Sequence, residues 1–84
     1  MLKEIVEQYS DYEELLIANG FDEAVIGIAT DFTEPRLIYS VKKCIEIMVE
    51  NGNSYSDALD YLGFNTFNAY VGEKTPIWCH DDFN

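Results

Sequence analysis

The stretch from residue 24 to 39 sets the class of this fold. Residues 24–30 are rich in β-branched side chains, and with Gly27 inside them they are too short for a helix, so they read as a strand. Residues 36–39 read as a second short strand, separated from the first by a loop over 31–35 that Pro35 punctuates. A hairpin is the simplest pairing of the two. Ile26 and Ile28 are expected on one face of the first strand, with Val25 and Ala29 on the other. Being mostly apolar on both faces, this strand is expected at the centre of its sheet.

Helical spacing flanks the hairpin on both sides. Leu2, Ile5, Val6, Tyr9, Tyr12 and Leu16 fall at three-and-four spacing and predict a helix over 2–19. Gly20 would end it, with Phe21 touching Leu16. Ser10 and Glu13 have capping-box spacing, so a break near Ser10 is the alternative. Ser40 suits the N-cap of a second helix, whose stripe is Val41, Cys44, Ile45, Met48 and Val49 and whose end is Asn51-Gly52. Ser54 or Ser56 caps a third, with Tyr55, Ala58, Leu59 and Leu62 on one face. Two courses are open at Gly63: it stops the helix, with Leu59 and Phe64 at C3 and C″ and a further turn or two starting from Asn65 as N-cap, or the helix continues. Running through Gly63 costs roughly 1 kcal/mol relative to Ala. The segment 65–78 then turns at Gly72 and enters a last strand over 75–79, which Pro76 assigns to an edge. Residues 80–84 read as a loose polar tail. The expected fold is a single α+β domain over 1–84: a three-stranded antiparallel sheet packed with three helices in the order αββααβ.

A chain of 84 residues buries only about 60–65% of its unfolded surface. At 48% hydrophobic with twelve aromatic residues, it can still form a core without disulfide or metal. Its net charge is −11. That argues against direct nucleic-acid binding, which needs clustered Lys and Arg, and against anionic membranes. It permits basic partners or mimicry of a polyanion. Cys44 and Cys79 lie far apart and read as reduced thiols. Met1-Leu2-Lys3-Glu4 does not resemble a secretory signal, and no apolar run approaches the ~20 residues of a membrane span.

Five groups of residues are candidate sites. Residues 1–23 hold seven acids against Lys3, a net of −6, and Glu4, Glu7, Asp11 and Glu14 form a stripe at helical spacing. It is read as a partner-binding face, although most such stripes are simply solvated. Arg36, Lys42 and Lys43 surround Ser40 at a helix N-terminus and form a candidate anion site. Pairing of these bases with carboxylates of the same molecule or of an oligomer mate is the favoured explanation. Cys79-His80-Asp81-Asp82, with Cys44, offers ligand types that zinc accepts but not the spacing of a zinc site. Cys79 and His80, adjacent on a strand, point to opposite faces, and Cys44 reads as core, so no nucleophilic pair is expected. Tyr61, Phe67, Tyr70 and Trp78 form a candidate exposed aromatic patch. No phosphate-binding glycine loop or nucleophile elbow is present. The expectation is a non-enzyme without cofactor or metal.

The segment Pro35-Arg36-Leu37-Ile38-Tyr39-Ser40, the helix after it, and Phe64-Asn65 leading into Ala69-Tyr70-Val71-Gly72-Glu73-Lys74-Thr75-Pro76-Ile77-Trp78 carry a resemblance. From about Glu14 to Trp78 the chain resembles a small family of uncharacterised proteins of tailed bacteriophages. The resemblance implies a phage product acting in the bacterial cytoplasm, and no activity, cofactor or site residue. The leading expectation is therefore a small acidic accessory protein that binds and modulates a host protein. Two others stand beside it: an anionic-ligand or nucleotide-binding module using the basic corner, and a homo-oligomeric structural component.

Overall fold

The computed structural model describes residues 1–8, 15–30, 35–67, 69, 72 and 74–83. Its elements are α1 (Leu2–Gln8), a 3-10 turn (Asp22–Ala24), β1 (Val25–Ala29), β2 (Arg36–Ser40), α2 (Val41–Glu50), α3 (Tyr55–Asn65) and β3 (Ile77–Cys79). The α+β class, three strands, three helices and the order αββααβ agree with the sequence pattern.

The sheet is mixed, in the order β1-β2-β3. β1 and β2 form the expected antiparallel pair, but β2 and β3 run parallel, with Tyr39 beside Trp78 and Ser40 beside Cys79. β2, not β1, is the central strand. A parallel neighbour needs a long crossover, and α2 and α3 supply it.

Register also corrects the predicted faces of β1. Val25 lies opposite Tyr39 and Ile28 opposite Leu37, with the register shifting by one residue between Val25 and Gly27. Residues directly opposite in a pair share a face. The bulge therefore puts Val25 and Ile28 on the core side, where strict alternation would separate them. Val25 is buried and Ile28 packs against the core.

That core is Leu37 and Tyr39 of β2, Val41, Cys44 and Ile45 of α2, and Ala58 and Leu62 of α3, closed by Ile5, Ala24 and Val25. Each fully buried large side chain contributes roughly 1.5–3 kcal/mol. Ser40 caps α2, its Oγ accepting from the Lys43 N–H at 3.1 Å. The helix ends in a Schellman turn: Gly52 N–H bonds to Val49 O at 3.0 Å and Asn53 N–H to Met48 O at 3.1 Å. Gly52 takes φ +104°, which an L side chain rarely adopts.

One helix departs from expectation, and at another the structure takes one of two open alternatives. α1 is described over Leu2–Gln8, and residues 15–18 of the predicted 2–19 helix are not helical. There the backbone is tied to the sheet instead, since Ala18 N–H donates to the Tyr39 hydroxyl at 2.8 Å. Gly20 closes a turn (φ +90°), with Phe21 N–H bonding Ala18 O, and Leu16 stays exposed. The Ser10/Glu13 alternative lies outside the described residues. α3, capped by Ser54 through Asp57 N–H, continues through Gly63 to Asn65. The cost of one mid-helix glycine is smaller than the loss of the turn that anchors Leu62. Phe64 consequently points outward, 85% exposed, instead of folding back on Leu59.

A Cβ added at Gly63 would meet nothing within 4 Å. Gly63→Ala should therefore stabilise the protein by about 0.5–1 kcal/mol, raising Tm by several degrees in thermal unfolding. A fall in Tm would contradict a continuous α3.

Candidate functional site

The parallel direction of β3 decides what meets the start of α2. Leaving β3 beside Ser40, the chain passes over the α2 N-terminus, and Asp81 docks there. Its Oδ2 accepts from Ser40 Oγ at 2.6 Å and its Oδ1 from the Lys42 N–H at 3.0 Å. With Ser40 Oγ already accepting from Lys43 N–H, the chain's own carboxylate fills the corner that is a candidate site for an outside anion. Negative charge at a helix N-terminus is favoured by the unpaired N–H groups and the helix dipole. Partial burial pushes the Asp81 carboxyl up, but the Ser40 and Lys42 hydrogen bonds outweigh it and hold the group below its ordinary value. Lys42 and Lys43 are exposed, and Arg36 is half-buried in the strand. Ser40 is fully buried. The tail beyond β3 is thus fastened at one point by a residue whose type alone gave no sign of it.

Of the acidic stripe, Glu4 and Glu7 are exposed on α1. Asp11 and Glu14 lie outside the described residues. Glu4 pairs with the terminal amine at 3.1 Å, and its own backbone N–H, then that amine, lower its pKa. A second acidic face was not anticipated. Glu46 and Glu50, one turn apart on the outer side of α2, lie between Glu23 and Asp22 on one flank and Asp82 on the other. The i, i+4 spacing of Glu46 and Glu50 was the available signal.

The aromatic patch divides. Phe67 and Trp78 are not surface residues of one patch. Trp78 sits between Tyr39 (centroids 5.0 Å) and Phe67 (5.4 Å), and both Trp78 and Phe67 pack against the core. Tyr61 is half-exposed, and Tyr70 lies outside the described residues. Among the described residues, the exposed rings are Tyr55, Tyr61, Phe64 and Phe83. Tyr55 and Phe83 share an open groove of about 630 Å³ with Lys42, Ile45, Glu46, Val49, Glu50 and Asp82. The Schellman turn places Tyr55, the first residue of α3, beside the last turn of α2, and the Asp81 anchor brings Asp82 and Phe83 to the other side.

Thiol chemistry is suppressed in the interior. Burial first, then the charge of Asp81, pushes the Cys44 thiol up to about 12. It stays protonated and unreactive near neutrality. Cys79 is partly exposed at the sheet edge, and His80 packs edge-on against Phe67 with centroids 5.5 Å apart. Among the described residues, no three His, Cys, Asp or Glu side chains gather in metal-binding geometry. Nor, among them, is any helix long and apolar enough to cross a membrane.

Two measurements test this arrangement. Asp81→Ala should cost roughly 1 kcal/mol at neutral pH, a cap interaction discounted for its exposure. Because the folded-state pKa is lowered, that advantage is complete above the ordinary value of 3.8 and fades as pH falls through the lower folded value. Urea unfolding of wild type and variant should converge in acid; a constant gap would mean that Asp81 acts without its charge. In native protein, iodoacetamide should modify Cys79 well before Cys44, and equal rates would contradict the burial of Cys44. No protein family, no characterised protein and no solved structure matches this chain, so its chemistry is legible only in its own residues.

Proposed function

We propose that this chain is a small acidic interaction protein, without catalytic activity of its own, that binds a basic surface on another protein. The observation that supports it is where the surplus charge stands. Glu4, Glu7, Glu23, Glu46 and Glu50 are all exposed, in a molecule of net charge −11. Such a field raises association rates with basic partners and repels acidic ones. Glu4 and Glu7 are ~4.5 Å apart along the helix axis, a spacing compatible with imitating a phosphate backbone. The setting implied by the phage resemblance, an accessory factor acting on a host protein in the bacterial cytoplasm, belongs to the same proposal and rests on that sequence pattern alone.

Anion binding at Arg36, Ser40, Lys42 and Lys43 is a weaker reading, since an incoming anion has to displace Asp81. A homo-oligomer has to overcome repulsion between two strongly acidic copies.

Affinity capture from bacterial lysate, followed by titration of the captured protein, tests the proposal. Binding should weaken steeply with salt, and reversing Glu4, Glu7, Asp11 and Glu14 to Lys should reduce affinity about tenfold or more. A partner held equally well by the reversed variant in high salt would refute the acidic-mimic reading.

A further inference from the structure

We infer that the groove between α2 and the C-terminal tail is a docking site for a cationic amphipathic segment of a partner protein. This rests on the reading of the chain as an acidic binding protein and adds to the acidic face of α1 a second, separate place of contact. Two independent features of the groove select that occupant.

The first is its apolar floor. Ile45 is buried beneath it, while Val49 (43% exposed), Tyr55 (57%) and Phe83 (84%) open onto it. Large apolar side chains converging on one concavity are what a partner's anchor residue needs, and exposed singly around a surface they would not provide it. The volume of about 630 Å³ accommodates one or two large apolar side chains.

The second is the charge of the rim. Glu46 and Glu50 stand one turn apart along α2, and Asp82 faces them from the tail. Lys42 is the one cation of the lining, and it lies close enough to Asp81 to help lower that carboxyl's pKa. Its charge is thus partly answered inside the molecule, and the rim facing a ligand is acidic. An apolar floor with acidic borders complements a segment that presents Leu-like or aromatic anchors flanked by Lys or Arg. A second copy of this chain fits poorly, because it would bring another set of carboxylates against Glu46, Glu50 and Asp82.

The test uses the full chain and two fluorescent synthetic peptides, one of Lys and Leu patterned as an amphipathic helix and one with every Leu replaced by Ser. Anisotropy titration should show the Lys/Leu peptide binding about tenfold or more tightly than the Lys/Ser peptide, with amide shifts concentrated at 45–50 and 81–83. Phe83→Ala and Tyr55→Ala alter exposed side chains, so the fold should survive, and circular dichroism checks that it does. Each should weaken the Lys/Leu peptide several-fold, and Glu46→Gln with Glu50→Gln should flatten its salt dependence. Equal binding of the two peptides would overturn the groove, as would affinity untouched by Phe83→Ala and Tyr55→Ala. A wild-type dimer that those variants dissociate would also overturn it, by giving the face to a second copy. Loss of the groove in this way leaves the broader proposal standing if the captured partner still responds to the α1 charge reversal. A partner indifferent to that reversal while the Lys/Leu peptide still docks would separate the two ideas in the other direction.

Discussion

Tyr39 is where the parts of this fold are tied together. Its backbone lies in the central strand, opposite Val25 on one side and Trp78 on the other. Its ring is fully buried and packs against the Trp78 indole. Its hydroxyl accepts the Ala18 N–H and so holds the non-helical segment before the hairpin. Burial raises the phenol's pKa above its ordinary value. A buried hydroxyl without a partner costs on the order of 1–3 kcal/mol, so this bond determines the path of residues 15–18 as much as their own propensity does.

From that strand follows the arrangement at the other end of the molecule. Because β3 runs parallel to β2, the chain after Trp78 travels toward the start of α2 and not away from it. Asp81 then reaches Ser40 and the Lys42 N–H, and the same carboxylate bears on the Cys44 thiol below. An antiparallel β3 would have carried the tail to the Arg36 end of β2 and left the helix N-terminus open. Strand direction, an attribute of the backbone, thereby settles the electrostatics of the basic corner.

The functional consequence is a division between an internal and an external use of charge. Asp81 is spent on holding the tail, whereas Glu46, Glu50 and Asp82 remain at the surface beside exposed Val49, Tyr55 and Phe83. Acidic groups alone steer a partner without fixing its pose; an apolar floor supplies the short-range contact that does. The groove joins the two, and it depends on the Schellman turn after α2 and on the Asp81 anchor for its two walls.

Local signals in the sequence determined a good deal. Apolar spacing located α2, Ser40 and Ser54 marked the starts of α2 and α3, Asn51-Gly52 ended α2, and β-branching with Pro35 separated β1 from β2. These features depend on neighbours within a few residues, which is why a single sequence carries them. The net charge and the acidic excess were equally plain. Contacts distant in sequence decided the rest: β3's parallel direction, the bulge that puts Val25 and Ile28 on one face, the non-helical path of residues 15–18, and the continuation of α3 through Gly63. The site divided in the same way. Ser40 was legible as a helix start, but the carboxylate that binds its hydroxyl and the Lys42 N–H lies about forty residues away. Phe67 and Trp78 looked like surface rings because composition cannot say which aromatic faces the core; only the pairing of Tyr39 with Trp78 in the sheet decides that.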